Sequence, residues 1–217
     1  MTNLFSTFDP CTGLLSMNWI STFLFTMILP NTFWMKNNKN KLMLKMVTKT
    51  LTKEISSLTN NKSTPMIMMS MFLLILINNM MGLLPYVFTS SSHMIFSLSL
   101  ALPMWLSYMT FGWTKKTNLM LAHLVPNGTP FILMPFMVMI ETTSNIIRPG
   151  SLAVRLSANM IAGHLLMSLL GSNSSKSMIL LSITMMIFIM LITFELAVAI
   201  IQAYVFMTLS TLYSSEI

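Results

Sequence analysis

Apolar and polar positions in this chain alternate in whole segments. The first apolar run, Leu14 to Trp34, is long enough for a transmembrane helix, with Pro30 bending its end. Residues 41–58 read differently. Leu44, Val47, Leu51, Ile55 and Leu58 recur at helical spacing as one narrow apolar stripe, while Lys41, Lys45, Lys49 and Lys53 step by four along the other side. This pattern predicts an amphipathic helix in the membrane interface, its lysines toward anionic headgroups. A partner-binding helix of the calmodulin-target kind has the same pattern, but apolar spans flank this one on both sides. Further spans at 66–88, interrupted by Asn78-Asn79, Gly82 and Pro85, and at 94–113, closed by Lys115-Lys116, enclose the polar turn TSSSH at 89–93. Two very long apolar segments follow, 131–170 and 178–213, separated by GSNSSKS (171–177). About 40 helical residues reach about 60 Å, twice the hydrocarbon thickness. Such helices must kink, break or tilt strongly, and Pro149-Gly150 is a kink point in the first. The expectation is an all-α polytopic membrane protein, a single membrane domain over 1–217. It comprises about five membrane-embedded helices, one interfacial amphipathic helix and a C-terminal hairpin of long, strongly tilted helices.

Composition agrees with that class. Of 217 residues, 54% are hydrophobic and 8% charged, where a soluble domain carries about 25% charged. The net charge of +7 would suggest nucleic acid in a soluble protein, but seven of the lysines lie in 36–62, so a membrane surface is the better partner and no nucleic acid is expected. The first ten residues hold no Lys or Arg and lack the positive region of a secretory signal. Lysine asymmetry places 36–62 and Lys115/Lys116 on one membrane face, and the N-terminus and 89–93 on the other. A single cysteine, Cys11, and three scattered histidines give no metal site. No phosphate loop, dinucleotide motif or nucleophile–base arrangement occurs, so no cofactor and no catalytic centre are expected.

Four charges, Glu141, Arg148, Arg155 and Glu195, lie inside apolar stretches, where a charge costs about 2.5–3.5 kcal/mol on insertion scales. Glu141, Ser144, Asn145 and Arg148 make one helical stripe, and Arg155 shares a face with Asn159. His164, nine residues past Arg155, should face other surroundings. Glu195 and Gln202 share a face of the last helix. Ala158, Ala162, Gly163, Ala197 and Ala199 permit close helix approach. The bland alternative is that the acids pair with arginines merely to fix the bundle. His93 and His123 read as interfacial or loop residues.

The stretch ETTSNIIRPGSLAVRLSANMIAGHLL (141–166), with LAHLVPNGTP (121–130) and FELAVAIIQAYVFMTLSTLYSSEI (194–217), resembles subunit a of the rotary F-type ATP synthase in its animal mitochondrial form. The resemblance implies a proton-translocating stator subunit without catalytic chemistry of its own. Two half-channels would serve the carboxylates of a rotating c-ring, and the partners would be the c-ring, other stator and membrane-sector subunits and anionic lipid such as cardiolipin. It implies the mitochondrial inner membrane, with the N-terminus on the intermembrane-space side and 36–62 on the matrix side. Arg155 matches the arginine facing the ring, and His164, Glu195, Glu141, Asn159 and Gln202 match polar positions along the proton route. It also implies that His164 and Glu195 approach each other across the helix pair. Arg148 departs from the commoner uncharged residue, so Arg148, Ser144 and Asn145 are secondary candidates. The alternatives are a polytopic ion transporter, which would show inverted repeats, and a structural subunit of a membrane complex.

Overall fold

The computed structural model describes all residues except 1–3, 12–15, 24–26, 28, 30–37, 60–63, 126–127, 175–177 and 216–217. The described secondary structure is wholly helical. In chain order the α-helices are α1 (Lys39–Leu58), α2 (Thr64–Gly82), α3 (Met94–Lys115), α4 (Thr117–His123), α5 (Met134–Ser174) and α6 (Met178–Ser215). Short 3-10 helices cover Leu4–Phe8, Asn18–Phe23, Ser90–Ser92 and Phe131–Leu133.

Four helical segments are long and apolar enough to cross a membrane: α2, α3, α5 together with 131–133, and α6. Of the span expected at 14–34, Asn18–Phe23 is a 3-10 helix and Ser16 before it has φ 43°; most of the remainder lies outside the described residues. The C-terminal helices hold 41 and 38 residues, about 62 and 57 Å of helix. Pro149 does not break α5, which stays helical on both sides of Pro149-Gly150. Its missing N–H frees the carbonyl of Asn145, a loss that helices in membranes absorb through neighbouring groups. Pro65 sits in the first turn of α2, where a proline forfeits no helical hydrogen bond. Lys115 in the last turn of α3 complements the negative helix end.

The helices pack in two pairs. Helix α2 lies mainly against α6, and α3 against α5, while α5 and α6 run alongside each other as a hairpin. Helix α1 crosses α2 and α6 and buries Ile55 among them, leaving Lys45, Lys49 and Lys53 exposed and Lys41 half-buried. The core joins Met68, Phe72 and Ile75 of α2, Leu152, Ala153 and Leu156 of α5, and Ala203, Phe206 and Met207 of α6. Small residues at Ala153 and Ala203, both at 0% exposure, let the backbones approach, the main source of helix cohesion in lipid. The hydroxyl of Ser210 donates to the Met68 sulfur at 3.1 Å, tying the end of α6 to the start of α2. Large apolar side chains on α3 and α6, such as Ile95, Phe111, Met186, Met190 and Phe194, point outward.

Candidate functional site

The polar residues of the α5–α6 hairpin form two separate groups with an exposed arginine between them. The first group lies in the N-terminal half of α5. Glu141 and Arg148, seven residues apart, fall on the same helical face, and an Arg148 nitrogen lies 3.7 Å from a Glu141 carboxylate oxygen. The Arg148 guanidinium also stacks over the Tyr213 ring, 5.2 Å from its centroid, and so joins α5 to the end of α6. Glu141, Asn145, Arg148 and Tyr213 line a cavity of about 510 Å³. Trp105, Tyr108 and Trp113 of α3 and His123 at the end of α4 complete much of its wall. Ser144 turns its hydroxyl to the Glu141 backbone carbonyl at 2.9 Å, a bond internal to the helix.

The second group lies further along α5. From Glu141 to His164 there are about 35 Å of helix. Here Glu195 of α6, 8% exposed, lays its carboxyl directly against Gly163 of α5. A side-chain carbon at position 163 would collide with both carboxylate oxygens. The neighbouring His164 ring is half-buried, is hydrogen-bonded at the Gly82 backbone, and meets the Phe8 ring edge-on at 6.1 Å. The contact at Gly163 thus brings Glu195 beside the His164 turn of α5.

Arg155 belongs to neither group. It is exposed, as is Asn159 one turn on, and it makes no salt bridge among the described residues. Facing pairs along the hairpin, Arg148 with Tyr213 and Gly163 with Glu195, run antiparallel. Interpolation puts Arg155 level with the stretch from half-buried Gln202 to Phe206. Arg155 and His164 have different surroundings: one side chain faces out of the chain, the other into the junction of α5 with α2.

A helical stripe on α5 says nothing about which residues of other helices face it, so the cavity contributions of Tyr213, His123 and the α3 aromatics are not marked in the sequence. Gly163 reads as a small residue permitting close approach; that the approaching group is the Glu195 carboxyl is a tertiary fact. Among the described residues no three His, Cys, Asp or Glu side chains cluster as metal ligands.

A family described as ATP synthase A chain matches residues 14–215. The chain belongs to that family. Proteins named ATP synthase subunit a are similar over the whole chain: 54% identical in Aedes aegypti over 224 residues, 54% in Drosophila melanogaster over 222 and 53% in Locusta migratoria over 227. Each alignment covers 100% of this chain and 99% of the relative. The ATP synthase A chain assignment therefore covers the cavity, the Glu195 junction and the exposed Arg155 together.

Proposed function

We propose that the two polar groups are the two half-paths of a proton route, with Arg155 as the barrier between them. As a member of its family the chain is the proton-translocating stator subunit of an ATP synthase membrane sector. It is non-catalytic, multi-pass, homologous to animal mitochondrial subunit a, and seated next to the c-ring. The observation that carries the two-path reading is the separation itself: two groups of acid–base side chains along one hairpin, Glu141 and His164 about 35 Å apart along α5, with an outward-facing guanidinium in between.

Protons reach a ring carboxylate from the side opposite the lysines, by way of His164 and Glu195. A neutral carboxyl can then travel through lipid, whereas an ionised one is strongly disfavoured there. After nearly a full turn the carboxyl meets the second group, where Glu141, Asn145 and Arg148 line the cavity, and releases its proton to the lysine-rich side. Arginine side chains stay charged at any working pH, so Arg155 favours the ionised carboxylate between the paths and blocks direct proton passage. Asn159 and Gln202, near its level, supply hydrogen-bonding groups along the same interface. Each proton moved down the potential contributes about 2.3 kcal/mol per 100 mV.

The setting follows the same reading. The cavity adjoins Trp113, beside Lys115, and the start of α2 is tied to the end of α6, which puts α1 at the cavity end. That end is the matrix face of the mitochondrial inner membrane, with the N-terminus on the intermembrane-space side. The exposed α1 lysines bind anionic lipid, cardiolipin included, and the remaining outward surfaces meet other stator subunits. Arg155→Ala tests the scheme in vesicles containing the assembled complex: proton leak should rise and ATP synthesis stop. Full synthesis by that variant would sink it. Glu195→Gln should slow translocation with assembly intact; lost assembly with normal flux per complex would make Glu195 a structural residue instead.

A further inference from the structure

The turn between α2 and α3 is polar in sequence yet buried. Thr89, Ser90, Ser91 and Ser92 are 4%, 2%, 0% and 3% exposed, and Asn79 of α2 is 1% exposed. Part of this polarity is satisfied internally: the Ser92 hydroxyl donates to the Thr89 carbonyl at 2.7 Å, and the Ser92 and Thr89 hydroxyls lie 3.1 Å apart. Ser91 and Asn79 differ. Neither the Ser91 hydroxyl nor either end of the Asn79 amide has a hydrogen-bond partner. Leaving such a group dry costs about 1–3 kcal/mol. Neither group titrates, so neither can store a proton; what a hydroxyl and an amide hold well is water, which needs about two to four polar partners.

Their position gives that water a task. The turn packs against α2, α3 and α5. Asn79 stands one helical turn before Gly82, on the same face, and Gly82 lies against Thr89 and hydrogen-bonds the His164 ring through its backbone. The Nε2 of His164 is itself buried without a partner. At the other end of the turn the His93 ring packs against both Trp19 and Phe88, 5.3 and 5.2 Å from their centroids, in a cluster of three mutually touching rings.

We propose that Ser91 and Asn79 hold a short file of water that feeds His164, which makes the buried 89–93 turn the mouth of the proton intake. This rests on the reading of His164 and Glu195 as the intake half-path. The serine turn supplies the fixed hydrogen-bonding lining, and Asn79 bridges it to the Gly82–His164 contact.

The test uses the assembled membrane sector in vesicles, with Cys11→Ser removing the native thiol. Ser91→Cys and Glu195→Cys are exposed separately to a membrane-impermeant methanethiosulfonate, which reacts with the hydrated thiolate. Both cysteines should be modified from the side of the 89–93 turn and not from the side of the lysines. A protected Ser91→Cys beside a reactive Glu195→Cys would overturn the serine-turn intake while leaving the two-path reading in place. Protection of both would overturn both. Asn79→Leu gives an independent readout, because leucine keeps the γ-branched outline of four side-chain heavy atoms, though bulkier, and has no polar atoms. A dry amide predicts equal or better assembly and unchanged flux per complex, which would refute the proposal. A water-holding amide predicts normal assembly with flux reduced several-fold.

Discussion

The contact between Gly163 and Glu195 allows a substitution in which fold and function respond differently. Gly163→Ala places a methyl carbon where the Glu195 carboxyl now lies. In a helix interior alanine is normally better than glycine by about 1 kcal/mol. Against that gain, the carboxyl must swing away until carbon–oxygen contact is near 3.5 Å again. The obstacle is the tip of a flexible side chain, so the backbone of α6 need not move. An off-rotamer side chain costs about 0.5–1.5 kcal/mol and overpacking about 1–3. The net effect on the fold is therefore a destabilisation of about 0–2 kcal/mol. Proton transfer suffers more, since displacing a reacting group by about 1 Å can cost on the order of 100-fold in rate. Gly163→Ala should assemble at near-normal levels and carry about 10- to 100-fold less proton flux. Glu195→Asp, shorter by one methylene, withdraws the carboxyl from the new methyl group. The double variant should recover part of the loss, a coupling of about 0.5–3 kcal/mol. The assay is ATP-driven acidification of vesicles, normalised to the amount of assembled complex. Wild-type flux in Gly163→Ala, or losses that simply multiply in the double variant, would refute the reasoning.

Two further predictions concern the other charged features. Arg148→Gln breaks an ion pair whose side chains are 28% and 35% exposed. With both side chains lining a water-filled half-path, as proposed, this should cost no more than about 1 kcal/mol in thermal stability, and failure to assemble would show the Arg148–Tyr213 stack to be a structural tie. Replacing Lys45, Lys49 and Lys53 by glutamine should remove about 1 kcal/mol each near an anionic surface. For a peptide of residues 39–58 that is about 100-fold weaker partitioning into anionic vesicles. Flotation with neutral vesicles should show no difference, and an equal loss on both would assign the lysines to something other than headgroup charge.

The helical class and the long C-terminal pair were legible because segment length and hydropathy are local properties. Runs of about 40 apolar residues cannot form anything else in lipid. The Glu141–Arg148 stripe was legible for the same reason, since both residues ride on one helix. The partners across helices were not. Tyr213 lies 65 positions beyond Arg148, and no periodicity within α5 announces the ring that will stack on it. The TSSSH turn read as an ordinary polar connection between spans, yet it is buried. Its burial comes from α5 packing over it, an arrangement absent from the local pattern. His93 reads as interfacial or loop, and its contact with Trp19 depends on a segment some 70 residues upstream.

The antiparallel run of α5 and α6 has a mechanical corollary. Arg148 meets Tyr213 and Gly163 meets Glu195 along one unbroken pair of helices. Adding one residue to α5 between positions 148 and 163 would turn one contact about 100° against the other and lengthen the gap by about 1.5 Å. Inserting seven leaves a phase error of only about 20°, but adds roughly 10 Å of length. No insertion satisfies angle and distance together. The hairpin is thus a ruler graduated in helical turns: the two contacts fix the count of residues between them on α5 unless α6 changes length in step.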